Sequence, residues 1–394
     1  MKKLILLAGI IAFLACSNFG CCSYGRESYG KQFSESDDDN SWGPEIKKEL
    51  KAASGGTLNI ELNTGGAIDI AGWEKESAYV EIKQKGDEVK FQIEERDGNI
   101  NISSDYAHKR NRDSHSAQIT IKVPHKYNAK FSTLGGAVKF TDVEGSYEGT
   151  TMGGAILIKK FAGKLEVKTM GGAIKIFDSN ADGSAVTMGG EVLLDNAAGN
   201  LKASTMGGRI KQTNPPPQND SKGSGLDLNT MGGGLDIDDA PNGAKLKTMG
   251  GSINVNSVNN HLEAETMGGN IFVKKADGKI SAKTMGGDIN VNMNNSPGAV
   301  NADIFLSSQK GDLTLSLPDG ASVNINAEIG YTRHKEDLYK IISDFKLEET
   351  SASTWDDSKG SDRKYIYGKG EFNGGKYNVT LKTINGNIYI KKKN

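Results

Sequence analysis

The four residues Thr-Met-Gly-Gly recur through the middle of the chain, and their spacing constrains the fold more than any other feature. Copies begin at Thr151, Thr169, Thr187, Thr205, Thr230, Thr248, Thr266 and Thr284, with a looser copy at Thr133-Leu134-Gly135-Gly136. Most steps are 18 residues; the step from Thr205 to Thr230 is 25. A short fixed period marks a solenoid, in which each repeat stacks on its neighbours and cannot bury its apolar face alone.

Within one repeat, Ile156 and Ile158 fall on one face of a strand, and Leu165 and Val167 on one face of a second. Alternation over such short runs argues for strands with one buried side. Phe161-Ala162-Gly163 is expected to turn the chain between them. Later copies supply Ile174 and Ile176, Val192 and Leu194, Leu235 and Ile237, Ile253 and Val255, Ile271 and Val273, Ile289 and Val291. Second-strand pairs such as Leu201 with Ala203, Leu262 with Ala264 and Ile280 with Ala282 include a small residue, which suggests a narrow interior. Two short strands and two turns make one coil, and coils stack at about 4.8 Å. The expected fold is all-β, a right-handed β-solenoid of the single-stranded β-helix type with coils of about 18 residues.

Each signature position has an expected role. The Gly-Gly pair reads as a coil corner, because glycine reaches positive φ without a Cβ clash. No Lys-Ser/Thr or dinucleotide pattern follows it, so a phosphate-cradling loop is disfavoured. The threonines line up as a hydroxyl column. Met152, Met170, Met188, Met206, Met231, Met249, Met267 and Met285 stack in register; as flexible apolar fillers they read as an internal ladder. Exposed thioethers would instead suit soft Cu(I) or oxidants. Asn254, Asn256, Asn290 and Asn292 suggest an amide ladder on the outer face.

On the N-terminal side, alternation at Leu58, Ile60 and Leu62, at Ile68 and Ile70, and onwards to Ile119, Ile121 and Val123 predicts further strands, with Thr64-Gly65-Gly66 as a degenerate signature. His108 to His115 reads as a basic, solvated loop. Pro215-Pro216-Pro217 opens an outward loop in the 25-residue repeat, because proline lacks a sheet donor. Near the C-terminus, Leu338, Ile341, Ile342 and Phe345 have helical spacing and predict a short helix covering an end. Thr383-Ile384-Asn385-Gly386-Asn387-Ile388 is a last degenerate copy.

Residues 1–15 read as an export signal: a basic start, then an apolar run too short to span a bilayer as a mature helix. Phe13-Leu14-Ala15-Cys16 resembles a bacterial lipoprotein box, with Phe13 where Leu is usual. Cys16 is the expected lipidation site, with Cys21, or ordinary signal cleavage, as alternatives. Residues 16–50 are expected to be a polar tether between lipid and solenoid. The solenoid domain spans 51–394, with its regular repeats over 133–300. Ser17 is not the Asp that retains many lipoproteins at an inner membrane, so the outer membrane or cell surface is favoured.

The three cysteines, Cys16, Cys21 and Cys22, all precede the repeats, so no disulfide or Cys-held metal can tie the coils. A formal net charge of −1 gives no global pull toward nucleic acid. The five histidines have no ligand spacing, and no cofactor motif is present. Asp236, Asp238, Asp239 and Asp288 are the available carboxylates for a polysaccharide-active β-helix enzyme, but no basic residue recurs beside them.

The spaced Thr-Met-Gly-Gly-x-Ile copies, Val123-Pro124, Leu317-Pro318 and the closing run from Thr383 to Ile390 together resemble the bacterial DUF4097 family of adhesin-like proteins. The resemblance covers roughly residues 58–390. It implies an envelope-associated β-solenoid and supplies no catalytic motif. The expected function is non-enzymatic: a lipid-anchored rod that binds a glycan or protein, or acts as a scaffold, with self-assembly through its ends as a further alternative.

Overall fold

A computed structural model describes residues 45–85, 89–106, 117–215, 225–294, 300–333, 335, 338–358 and 361–393. Among these residues every regular element is a strand. Consecutive coils pair in parallel along two faces. On the first face, Ile156 opposes Ile174, Val192 opposes Ile210, and the column continues through Leu235, Ile253, Ile271, Ile289 and Leu313 to Ile388. On the second face, Leu228, Leu246, Ala264, Ala282, Leu306 and Leu381 make the matching column. Three 14-residue strands, Val138–Thr151, Ile156–Thr169 and Ile174–Thr187, run from one face to the other and join both into one sheet. The expected turn at Phe161-Ala162-Gly163 is therefore a bend inside a continuous strand, with Lys160 at φ 49° and Gly163 at φ 127°.

The aliphatics assigned to the interior by alternation are buried there, from Leu58 to Ile390. Each fully buried aliphatic is worth about 1.5–3 kcal/mol before chain entropy is set against it. The 25-residue step does not disturb the register: Thr205 opposes Thr230 directly. The interior changes along its length. Early coils hold an aromatic chain, Phe131–Phe140–Tyr147–Phe161, with ring centroids 5.5, 4.9 and 5.3 Å apart. Later coils hold Ala240, Ala244, Ala264, Ala276 and Ala282 instead.

Both ends finish in antiparallel strands. Glu45–Lys51 pairs with Ser77–Gln84, which in turn pairs with Ala117–Pro124. At the other end Val323–Thr332 pairs with Arg363–Phe372, and Glu348–Ser351 adds to that strand. Two expectations are corrected here. Residues 45–50, assigned to the tether, belong to the edge strand Glu45–Lys51 of the solenoid. The predicted C-terminal helix is absent: Ile341–Ser343 is a strand parallel to Ile388–Lys393. Ile341 and Phe345 face the core while Leu338 and Ile342 face water, so the helical spacing was coincidental.

Candidate functional site

The signature corner is built by the threonine. Each Thr is buried at the end of the second strand, one alternation step past the last aliphatic. Its Oγ1 donates to the second glycine carbonyl of the preceding coil over 2.7–3.2 Å, as Thr187 does to Gly172 at 2.7 Å. The same oxygen accepts from the backbone N–H of the second glycine in its own coil, at 3.1–3.3 Å. One hydroxyl thus satisfies two backbone groups that the corner removes from the sheet ladder. The column is a row of side-chain-to-backbone staples, not a threonine-to-threonine ladder. Ser308 and Thr383 continue it toward the C-terminal end, on Gly287 and Gly311.

The two glycines differ. From Gly154 to Gly287 the second glycine lies so close to the coil below that an added Cβ would sit 1.7–2.2 Å from that coil's glycine carbonyl oxygen. None of these eight has positive φ. Close stacking requires glycine here, which corrects the expectation of a left-handed turn. At the first glycine, from Gly153 to Gly286, an added Cβ would meet nothing closer than 3.4 Å.

The methionine reading is overturned. Met152, Met170, Met188, Met206, Met231, Met249, Met267 and Met285 are all 44–50% exposed. The physical reason is alternation: Leu165, Val167 and Thr169 point inward, so Met170 points out. The signal was present in the sequence, one step beyond the strand. Leu134 precedes the column at 55% exposure, and Gln309 follows it, after Ser308. Main-chain bonds lock neighbouring methionines in register, as between the Met249 N–H and the Met231 carbonyl, and between the Met267 N–H and the Met249 carbonyl, both at 3.2 Å. The 25-residue step leaves the row intact, with the Gly232 N–H bonded to the Met206 carbonyl at 2.8 Å. A shallow groove of about 430 Å³ runs beside Met249, Met267 and Met285, with Lys247, Glu265 and Lys283 on its rim. The Lys247 ammonium, 2.8 Å away, holds the Glu265 carboxyl below the ordinary carboxylate range.

The candidate carboxylates are not brought together. Asp236 and Asp238 lie on the outer first face, where their carboxylates accept from Asn254 at 2.8 Å and Asn256 at 3.4 Å in the next coil. Asp236 also pairs with Arg209 at 3.2 Å. Beside Asp239, Gln212 accepts the Asp239 N–H and donates to its carbonyl. Asp288 belongs to a different column, at the signature corner, and accepts the Asp312 N–H at 2.8 Å. The expected amide ladder does not form: Asn254 and Asn256 donate down to aspartates, and Phe272 stands between Asn254 and Asn290. Among the described residues no three His, Cys, Asp or Glu side chains cluster as a metal site. Cys16 and Cys21, the signal segment, the basic loop at 108–115 and most of the Pro-rich loop lie outside the described residues.

The family model described as Toastrack DUF4097 matches residues 48–391. Solved structures with similar chains include a "putative cell adhesion protein" from Clostridium sporogenes ATCC 15579, 12% identical, covering 89% of this chain and 99% of that one, at a TM-score of 0.19. A "putative lipid binding protein" from Parabacteroides distasonis ATCC 8503 is 10% identical over 89% and 98% of the two chains, at 0.26. A "putative adhesin" from Bacteroides fragilis NCTC 9343 is 12% identical over 89% and 97%, at 0.17. No curated protein matches. At these TM-scores the three likenesses carry no argument about this chain.

Proposed function

The chain belongs to the Toastrack DUF4097 family, and from that premise we propose that it is a non-enzymatic, lipid-anchored protein of the cell envelope. In this reading the solenoid is a rigid support that presents a repeated recognition surface, in the manner of an adhesin. One observation carries the proposal. Of the four signature positions, Thr and the second Gly are required by the stacking. Met and the first Gly are exposed, and packing does not require them. They nevertheless recur in all eight copies, while the outward positions of the strands vary freely, as Glu166, Ser184, Lys202 and Asp227 do. A row repeated without a folding reason is a functional surface by the same logic that marks an exposed apolar patch on a soluble protein.

Cys16 carries the anchor in this reading. Acyl chains on it hold the protein by about 0.8 kcal/mol per buried methylene. The alternative of a polysaccharide-active enzyme is not favoured, because the aspartates it would use are rungs between coils. Filament growth is not favoured either: the terminal edge Glu45-Ile46-Lys47-Lys48-Glu49 is densely charged, which blunts strand addition.

Metabolic lipid labelling of wild type against Cys16→Ala tests the anchor, with Cys21→Ala as control; equal labelling of wild type and Cys16→Ala removes Cys16. Protease treatment of intact cells tests the display. Binding of the purified protein to envelope or host-surface fractions is expected to fall when Met206, Met231, Met249 and Met267 become Ser. Unchanged binding by that variant would sink the assignment of the surface.

A further inference from the structure

We propose that the methionine row is a binding site for a soft monovalent metal ion, Cu(I) in particular, held between thioethers of neighbouring coils. The proposal rests on the reading of this row as the recognition surface and names what it takes. Three observations carry it. First, the eight methionines point outward and are 44–50% exposed, which leaves their thioethers within reach of an ion from solvent. Second, the corner does not need methionine in particular to fold: Leu134 occupies the equivalent place with similar exposure. Apolarity alone would allow leucine at any copy, yet all eight carry sulfur. Third, the spacing suits the chemistry. Adjacent corners are one coil apart, about 4.8 Å, and two metal–sulfur bonds of the zinc–thiolate length, about 2.3 Å, laid end to end span about 4.6 Å. A d¹⁰ ion that accepts two nearly opposed ligands fits between consecutive rungs.

Selectivity follows from the ligand. Thioethers are neutral and soft, so they favour Cu(I) over hard cations such as Mg²⁺ or Ca²⁺. They carry no proton near neutral pH, so the site works in acid conditions where histidine or thiolate sites would be protonated. The bare first glycines beside the row, open to solvent, leave the ion's approach unobstructed. Because the main chain fixes the register from Met206 to Met231 as well as elsewhere, the row offers consecutive pairs without a break.

Silver(I), which shares the coordination chemistry and resists oxidation, is the probe. Full-length protein in detergent, with Cys16, Cys21 and Cys22 changed to Ser so that thiols take no silver, is labelled at the methionine methyls. On titration, the methyl resonances of the eight row residues are expected to shift, while buried Met293 stays in place as the internal reference. Changing all eight to Leu keeps the surface apolar and is expected to cut silver uptake by calorimetry to the level that Met1 and the five histidines account for. Row resonances that stay put in excess silver, or equal uptake by the Leu variant, would overturn the proposal. Macromolecular binding tested on the same Leu variant separates the two readings. If it persists while silver uptake falls, the surface docks through apolarity and also binds metal. If both are unaffected by the Leu changes, the metal proposal fails and the recognition surface survives.

Discussion

The two corners of each coil obey different rules. The signature corner keeps Thr and the second Gly in every regular copy, because the staple needs a hydroxyl and the backbone contact leaves no room for a Cβ. The opposite corner combines a left-handed residue with side-chain bonds that vary from coil to coil, such as Asn196 to the Asp178 carboxylate at 2.7 Å and Asn214 to the Asp195 carboxylate at 2.8 Å. Asp142, Lys160, Asp178, Asn196 and Asn214 follow one another at 18-residue steps, all with φ between 47° and 59°. At the matching places in later coils, Asp239, Ser257 and Lys275 are not left-handed, and the chain turns instead at Gly243, Asn260 and Gly278. One corner is specified by contacts with the coil below and so repeats. The other meets its neighbouring coils through residues that change from copy to copy, and so it drifts.

The largest expected effect breaks the first corner. In Gly190→Ala the new Cβ would stand 2.2 Å from the Gly172 carbonyl oxygen, which is backbone and cannot swing away. A cost of about 3 kcal/mol or more is expected, the upper end for overpacking. Gly189→Ala, one residue earlier, meets nothing closer than 3.4 Å and should change the thermal midpoint little. Equal losses in the two variants, measured by thermal unfolding, would show that the corner is not set by stacking.

Next comes the staple. Thr187→Val preserves shape but removes the partner of the Gly172 carbonyl and the Gly190 N–H, both at a part-buried corner. The expected loss is about 1–3 kcal/mol, and Thr187→Ser, which keeps the hydroxyl, should recover most of it. Chemical denaturation of the pair distinguishes hydrogen bonding from volume. At the opposite corner the sign reverses. Lys160 pays for a left-handed conformation that Asn holds easily, so Lys160→Asn should stabilise by about 0.5–1 kcal/mol. A destabilised variant would mean that the lysine side chain contributes something its turn conformation hides.

The fold was legible because its rules are periodic. Coil length, the two buried strands and the continuity of the stack across Thr205 to Thr230 all follow from counting residues between aliphatics. What misled was treating residue type as stronger evidence than position. Methionine is commonly a core residue, yet alternation through Leu165, Val167 and Thr169 already placed Met170 outside. Leu338, Ile341, Ile342 and Phe345 show the same fault: four apolar residues at helical spacing, of which two face water, around the short strand Ile341–Ser343. The staple was harder to foresee, because it joins a side chain to a carbonyl 15 residues earlier, and nothing in one repeat reveals which way a hydroxyl reaches over a corner.

The smallest expected effect is the most informative about function. Met206→Leu exchanges one half-exposed apolar side chain for another at a corner whose N-terminal counterpart, Leu134, is already leucine. Nothing in the stack depends on the sulfur, so stability should move by no more than about 0.5 kcal/mol. A larger loss would mean that the thioether packs into the corner after all, and the recurrence of methionine would then have a structural cause. If the midpoint stays fixed, folding is excluded as the reason for eight identical residues in a row. Selection would then have acted on what the row touches, and the contrast between a corner built for stacking and a ridge built for contact would hold within four consecutive residues.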